Sequence, residues 1–341
     1  MTQDLPGLDL AALAAWWPDH VGPLGGALDA TLIAGGKSNL TYRVGDGEGA
    51  WIVRRPPLGH VLATAHDMAR EYRVMTALRD TEVPVPTTYA LCEDPDVLGA
   101  PFYVMARVEG TPFRLAAELE PLGADRVRGI STRLVDTLAA LHRIEPASVG
   151  LGDFGRAEGF LARQVARWKK QLDASRSRDL PAADELHERL AAGAPPESAP
   201  GIVHGDYRLD NVLIDATPDG GDRLTAVLDW EMATLGDPLT DLALMLLYQR
   251  LGTSAGALVS DVAAAPGYLT EEQILARYAA GGGRDLTHFG FYLGLAAFKL
   301  AAILEGIHYR YLQGQTVGSG FDHIGEAIHP LLAAGLDALD N

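Results

Sequence analysis

The sequence predicts an α+β fold in two lobes, a small β-rich N-lobe over 1–108 and a larger, mostly helical C-lobe over 109–341. Three observations predict it. At 341 residues the chain exceeds the usual size of a single domain, so one hydrophobic core is not expected to serve all of it. Short apolar runs of strand type crowd residues 23–108, whereas helical periodicity fills nearly everything after 115. A content of 48% hydrophobic and 21% charged residues belongs to a chain that folds rather than to a disordered one.

An Ala/Leu/Trp-rich segment over 9–20 predicts a leading helix. Runs at 31–34, 40–44 and 50–54 predict three strands of a small meander, the first two flanking Gly35-Gly36-Lys37-Ser38-Asn39. Met68, Tyr72, Met75 and Leu78 recur at helical spacing, so 66–78 predicts a helix that ends before Pro84 and Pro86. An extended run follows at 102–108. Within the helical C-lobe, 201–228 is the exception: runs at 212–214 and 226–228 joined by a Pro-Asp-Gly-Gly-Asp turn predict a hairpin. Asp241 is expected to cap a helix over 242–251. The apolar stretch 286–312 carries Lys299, Glu305 and Arg310, which are too costly in lipid, so it reads as a buried helix.

The formal net charge of −17 argues against nucleic acid or an anionic membrane as general partners. No basic run precedes an apolar core at the N-terminus, and Cys92 is the single cysteine, so a reducing, cytoplasmic setting is expected. The ten histidines show no zinc spacing, and no Gly-x-Ser-x-Gly elbow is present, which speaks against metalloprotease and serine hydrolase chemistry.

The segment with most chemistry is His204-Gly-Asp206-Tyr-Arg208-Leu-Asp-Asn211, followed by Asp229-Trp-Glu231 at the end of the hairpin. A carboxylate and an amide carbonyl are the hard oxygen ligands that magnesium takes. Upstream, Glu71 shares a helix face with Met68 and Met75, and an acid on an apolar stripe calls for a cationic partner. The His204-x-Asp206-x4-Asn211 pattern with the later Asp229 resembles the signatures of the aminoglycoside phosphotransferase family, which shares the protein kinase fold. The resemblance extends over roughly residues 30 to 330 and implies use of ATP and Mg2+ and a small-molecule hydroxyl acceptor.

By that resemblance Asp206 is the catalytic base, Arg208 lies near the transferred phosphate, and Asn211 and Asp229 hold magnesium. Arg54 stands where kinases carry a phosphate-binding lysine and pairs with Glu71. Lys37 and Arg55 stay open as alternative phosphate contacts, because arginine offers a planar fork in place of a point charge. Gly36, Ser38 and Asn39 would cover the phosphates, and backbone groups of Ala106 and Val108 would hold adenine. His204 is expected to anchor its loop. Glu231 is read equally as a second metal ligand or a brace, and Lys299 and Glu305 either face an acceptor pocket or reach the surface.

Val53-Arg-Arg-Pro-Pro57, the 90–99 segment and Phe298-Lys-Leu-Ala-Ala-Ile-Leu-Glu-Gly306 are similar to one branch of the family. That branch is the kinase-like domain fused to acyl-CoA dehydrogenases in animals and standing alone in bacteria. It implies a hydroxyacyl-CoA acceptor, with an aminoglycoside as the alternative and a catalytically inactive binding protein as a reading of another class.

Overall fold

Alternation along one strand, β3 (Ala50–Arg55), sorts the N-terminal residues onto two faces of a sheet. The computed structural model describes residues 5–33, 39–58, 67–196, 198–217, 221–254, 260–282, 284–316 and 321–340. Tertiary contacts group them into two units, one formed by Met1–Thr111 with Val212–Ala233 and the other by Pro112–Asn211 with Thr234–Asn341.

In the first unit, β1 (Asp29–Leu32), β2 (Leu40–Gly45), β3, β4 (Thr88–Cys92) and β5 (Phe102–Ala106) form an antiparallel sheet in the order β1-β2-β3-β5-β4. Tyr42 pairs with Val53, and Val53 with Val104. These three residues lie on one face and are fully buried against helix α1 (Leu10–His20), whose Leu13 and Trp17 complete the cluster. Asp9 caps that helix, its carboxylate accepting from the amides of Ala11 and Ala12. The other face receives Met68, Met75 and Leu78 of helix α2 (Met68–Leu78), with Asp67 as its cap.

Strand β4 went unread in the sequence. Its Thr-Tyr-Ala-Leu-Cys run is short, follows two prolines and is held chiefly by pairing to β5, a tertiary effect that overrides weak local propensity. A short helix α3 (Pro95–Leu98) joins the two strands. The hairpin of β7 (Val212–Asp215) and β8 (Arg223–Val227) lies where the 212–228 pattern put it, although residues 218–220 of its turn are outside the described residues.

The second unit holds α4 (Ala116–Leu119), α5 (Ala124–Arg143), α6 (Phe160–Ser175), α7 (Pro181–Ala192), α8 (Leu239–Ser254), α9 (Glu271–Gly282), α10 (Phe289–Leu312) and α11 (Ile328–Asp340). Strand β6 (Gly201–Val203) pairs with β9 (Thr234–Gly236), a three-residue strand too short to read from sequence. Helix α10 is long and apolar enough to cross a membrane, yet 78% of its most apolar window is buried inside the protein; α6, α8 and α11 pack on it. It is the core helix of this unit.

One expectation is corrected. Asp241 is not the cap of α8, which begins two residues earlier at Leu239. The capping carboxylate is Asp237, whose Oδ1 accepts from the Leu239 amide at 3.1 Å while Oδ2 is held by Ser198 and Tyr292. The Pro238 that follows Asp237 fits the first helical turn, where the missing N–H costs nothing.

Trp17→Ala removes one of the largest fully buried side chains, packed between α1 and the sheet, and the expected loss of stability is about 3–5 kcal/mol, read from the denaturant midpoint. A loss below 1 kcal/mol would show that α1 contributes little to the first unit.

Candidate active site

The functional residues fall into two constellations, one in each unit. That of the first unit is built on β3. Successive side chains point to opposite faces, so Arg54 and Arg55 have opposite fates. Arg55 turns to the α1 face and is buried, donating to the carbonyls of Gly7, Leu98 and Pro56. A guanidinium committed to three carbonyls inside the core is not a phosphate contact, and this alternative from the sequence is withdrawn.

Arg54 turns to the α2 face. Its Nε lies 3.1 Å from Glu71 Oε2, and its Nη2 lies 2.6 Å from Asp229 Oδ1. Glu71 is 1% exposed and also accepts from the Tyr103 hydroxyl at 2.9 Å and from Asn39 Nδ2 at 3.1 Å. Asn39 Nδ2 donates as well to Glu231 Oε2 at 3.1 Å. Glu71, Tyr103, Asn39, Arg54, Asp229 and Glu231 therefore form one network, in which Glu231 acts as a brace.

Burial pushes the Glu71 carboxyl up to about 7, the charges of Asp229 and Glu231 adding to the rise while Arg54 and Tyr103 oppose it. Burial works to lower the Arg54 guanidinium, but Glu71, Tyr103 and Asp229 outweigh it and raise the value. Asp229 sits in the left-handed region, at φ 63°, where a residue with a Cβ is strained. The adjoining loop residues Gly36 and Ser38, together with Lys37, lie outside the described residues. The amide of Ala106 donates to Thr87 O at 2.7 Å and is thus already engaged.

The second constellation is the loop 204–211. Asp241, 1% exposed, accepts from the His204 amide at 2.6 Å and the Gly205 amide at 2.7 Å, and His142 Nε2 lies 3.4 Å away. Burial opposes ionisation of Asp241, but His142, His204 and the Gly205 amide outweigh it and lower its pKa. Gly205 has φ +90°, a conformation that glycine adopts without cost. Buried His204 accepts at Nδ1 from the Asp206 amide at 3.2 Å, and buried Tyr207 donates to Leu134 O at 2.8 Å. The histidine is thus an anchor of the loop.

On this frame Asn211 Nδ2 donates to both the backbone oxygen and Oδ2 of Asp206, each at 2.9 Å. The Asn211 carbonyl oxygen is thereby turned away from Asp206. Asp206 Oδ1 is buried with no hydrogen-bond partner among the described residues. Arg208 bridges the loop acids, with Nη2 2.9 Å from Asp210 and Nε 3.7 Å from Asp206, and stacks on the Tyr248 ring at 4.8 Å. Burial first, and then the Asp206 charge, hold the Tyr248 phenol far above its ordinary value.

Tyr103 and Tyr248 were missed in the sequence. Tyr248 follows Asp241 by seven residues, two turns of α8, and so shares its face; that spacing was available as a signal. Tyr103 had none, because an inward residue of β5 reads as core. Glu305 is fully buried and accepts from Ser177 N, Ser177 Oγ and Arg178, so it neither faces a pocket nor reaches the surface.

Comparison with known proteins gives a consistent picture. A model of the phosphotransferase enzyme family matches residues 29–281. Acyl-CoA dehydrogenase family member 11 of Gallus gallus is 36% identical over 319 residues, which are 92% of this chain and 40% of that protein; this chain thus spans under half of that relative's length. A crystal structure from Ralstonia eutropha JMP134, provisionally described as an aminoglycoside phosphotransferase, aligns with a TM-score of 0.85 at 33% identity, covering 97% of this chain and 98% of its own. An aminoglycoside phosphotransferase in ternary complex with AMP-PNP and hygromycin B aligns with a TM-score of 0.59 at 15% identity over 96% and 98% of the two chains, a likeness of fold. The two-lobe kinase-like class read from the sequence is the fold of these structures.

Arg54→Met would leave the buried Glu71 without its cation. Because Arg54 opposes the rise, its loss moves the Glu71 carboxyl above the parent's value of about 7, and a carboxylate forced to stay ionised there would cost about 3–5 kcal/mol. The variant stays protonated to higher pH than the parent, so the gap in stability should narrow as pH falls towards 7 and level off below it. Denaturant unfolding at two pH values checks this; a gap that widens towards acid would contradict it.

Proposed function

This chain belongs to the phosphotransferase enzyme family, and on that premise we propose that it transfers the γ-phosphoryl group of ATP, with magnesium, to a hydroxyl of a small molecule. The observation that carries the proposal is the buried, unpartnered Asp206 Oδ1. An unsatisfied buried carboxylate oxygen costs about 1–3 kcal/mol, and a site built around one supplies the acceptor that a substrate O–H needs.

In the proposed reaction the acceptor hydroxyl oxygen forms a bond to the γ-phosphorus as the bond from that phosphorus to the bridging β–γ oxygen breaks. The hydroxyl proton passes to Asp206 Oδ1, and ADP leaves with the bridging oxygen. Arg208, fixed over Tyr248 and against two loop acids, contributes a positive charge next to the base. Arg54 contributes another in the first unit.

Each unit offers an oxygen of the hard kind that magnesium takes. Asn211 offers its carbonyl oxygen because its amide nitrogen is spent on Asp206, and Asp229 keeps one oxygen beyond the one that Arg54 holds. Among the described residues no group of three or more His, Cys, Asp or Glu could hold a metal, and magnesium does not need one, since phosphates and water complete its shell. Bound magnesium would neutralise charge that develops on the phosphates.

For the acceptor, a hydroxyacyl-CoA ranks first, on the likeness to the kinase-like part of an acyl-CoA dehydrogenase relative. An aminoglycoside ranks second, on the likeness of fold to a hygromycin-bound structure.

The test pairs catalysis with binding. Asp206→Asn should lower magnesium-dependent phosphorylation by roughly 10²–10⁴-fold, the range that one general base supplies, while ATP with magnesium still raises the melting temperature of the variant as it does that of the parent. Undiminished turnover in Asp206→Asn would remove Asp206 as the base. No melting shift with ATP and magnesium in the parent protein would favour a binding protein without catalysis.

A further inference from the structure

Lys299 sits midway along α10, the most apolar helix of the second unit, and is partly buried there. Its ammonium donates to the Gly205 carbonyl at 2.8 Å, the residue before Asp206, and lies 5.5 Å from the centre of the Trp168 ring. Arg167 stacks on the same ring at 5.1 Å, so two cations share one aromatic platform beside the loop. An ammonium has three protons to donate. Among the described residues one is accepted, by Gly205, and no carboxylate lies within ion-pair distance of Lys299.

The groups that bear on Lys299 electrostatically are Asp206 in the loop, Asp241 in α8 and Arg167 in α6. Burial lowers its pKa, the two acids oppose that, and Arg167 adds to it. A cation withdrawn from water without an ion pair is costly. Simple bracing of the loop would need only a neutral donor. The arrangement makes sense when an outside oxygen completes the shell.

We propose that Lys299, supported by Trp168 and Arg167, is the acceptor-specificity subsite, taking an electron-rich acyl oxygen from the same carbon chain that carries the reacting hydroxyl. The inference rests on the phosphotransfer reading and deepens it. Two sources offer this chemistry, the carboxylate of a free hydroxy acid and the carbonyl of its thioester. A polycationic acceptor such as an aminoglycoside is disfavoured at the subsite, because Lys299 and Arg167 both repel it.

The experiment uses three probes, 4-hydroxypentanoate, its coenzyme A thioester and kanamycin. Each is measured for KM in the full chain and, by calorimetry, for Kd in the Asp206→Asn protein, which binds without turnover. Lys299→Met should raise KM and Kd for the acid, the thioester or both by about 10–100-fold, the effect of losing a hydrogen bond to a charged group. Lys299→Arg should recover most of that loss, and the melting shift caused by ATP with magnesium should stay as in the parent.

An effect on the acid alone identifies the free carboxylate as the ligand, and one on the thioester alone identifies the carbonyl. Loss of affinity for these probes in a protein that fails to turn over any acceptor supports the subsite and sinks the phosphotransfer reading instead. A uniform drop in kcat with KM and Kd unchanged would reduce Lys299 to a brace of Gly205 and overturn the proposal. So would tighter binding of kanamycin than of either acyl probe in the parent protein, or no binding of the acid and thioester to the Asp206→Asn protein.

Discussion

The geometry of the loop 204–211 depends on one buried carboxylate. Asp241 accepts from two consecutive backbone amides, those of His204 and Gly205, and so fixes the chain direction just before Asp206. A carboxylate cannot be left without donors in an apolar interior, and charged acceptors make the strongest bonds to amides. Once those two amides are spent, Gly205 must take its positive φ, His204 must turn its ring to the Asp206 amide, and Asn211 is left to close the loop from the other side. The turn is then held from both sides, while Asp206 Oδ1 stays without a hydrogen-bond partner among the described residues.

The first unit solves the same problem with the opposite polarity of means. Glu71 is buried on an apolar helix face and receives a hydroxyl and a side-chain amide, with a guanidinium at ion-pair distance, in place of backbone amides. Its partners are Asn39, just before β2, Arg54 of β3 and Tyr103 of β5, so the acid ties helix to sheet through side chains alone. The donors to Glu71 are side chains and can be lost singly, whereas the donors to Asp241 are main-chain amides. The loop of the second unit is in this sense the more rigid of the two constellations.

Much of this was legible in the sequence because it followed from periodicity. The face shared by Met68, Glu71 and Met75 predicted a buried acid in need of a cation, and the resemblance to kinases named Arg54 as that cation, which lies 3.1 Å from it. Spacing within 204–211 gathered Asp206 and Asn211. What could not be read was partner choice at a distance. Asp241 looked like a helix cap, since an acid ahead of an apolar run is the usual signature of one; Asp237, four residues earlier, is the cap, and Asp241 is drawn inward by amides that are distant in sequence. Glu305 misled for the same reason: an acid in an apolar helix suggested either a pocket or the surface, while its partners come from the connection after α6. Short strands β4 and β9 owe their form to pairing, which local composition does not record.

The choice of arginine at position 54 has its own physical logic. A lysine would present its charge on one nitrogen at the end of a flexible stem, whereas a guanidinium spreads it over three nitrogens in a fixed plane. The Arg54 guanidinium donates from Nη2 to Asp229 while its Nε lies 3.1 Å from Glu71 as an ion pair, which holds α2 and the strained Asp229 in one arrangement. Under the proposed function this has a consequence for the phosphates. One of the five donors of Arg54 is already engaged with Asp229, so a phosphate must either take those that remain or compete with Asp229, and any magnesium ligand at Asp229 acts through the oxygen that Arg54 leaves alone. Arginine here organises the first unit before a nucleotide arrives, a task that a lysine would leave to the nucleotide itself.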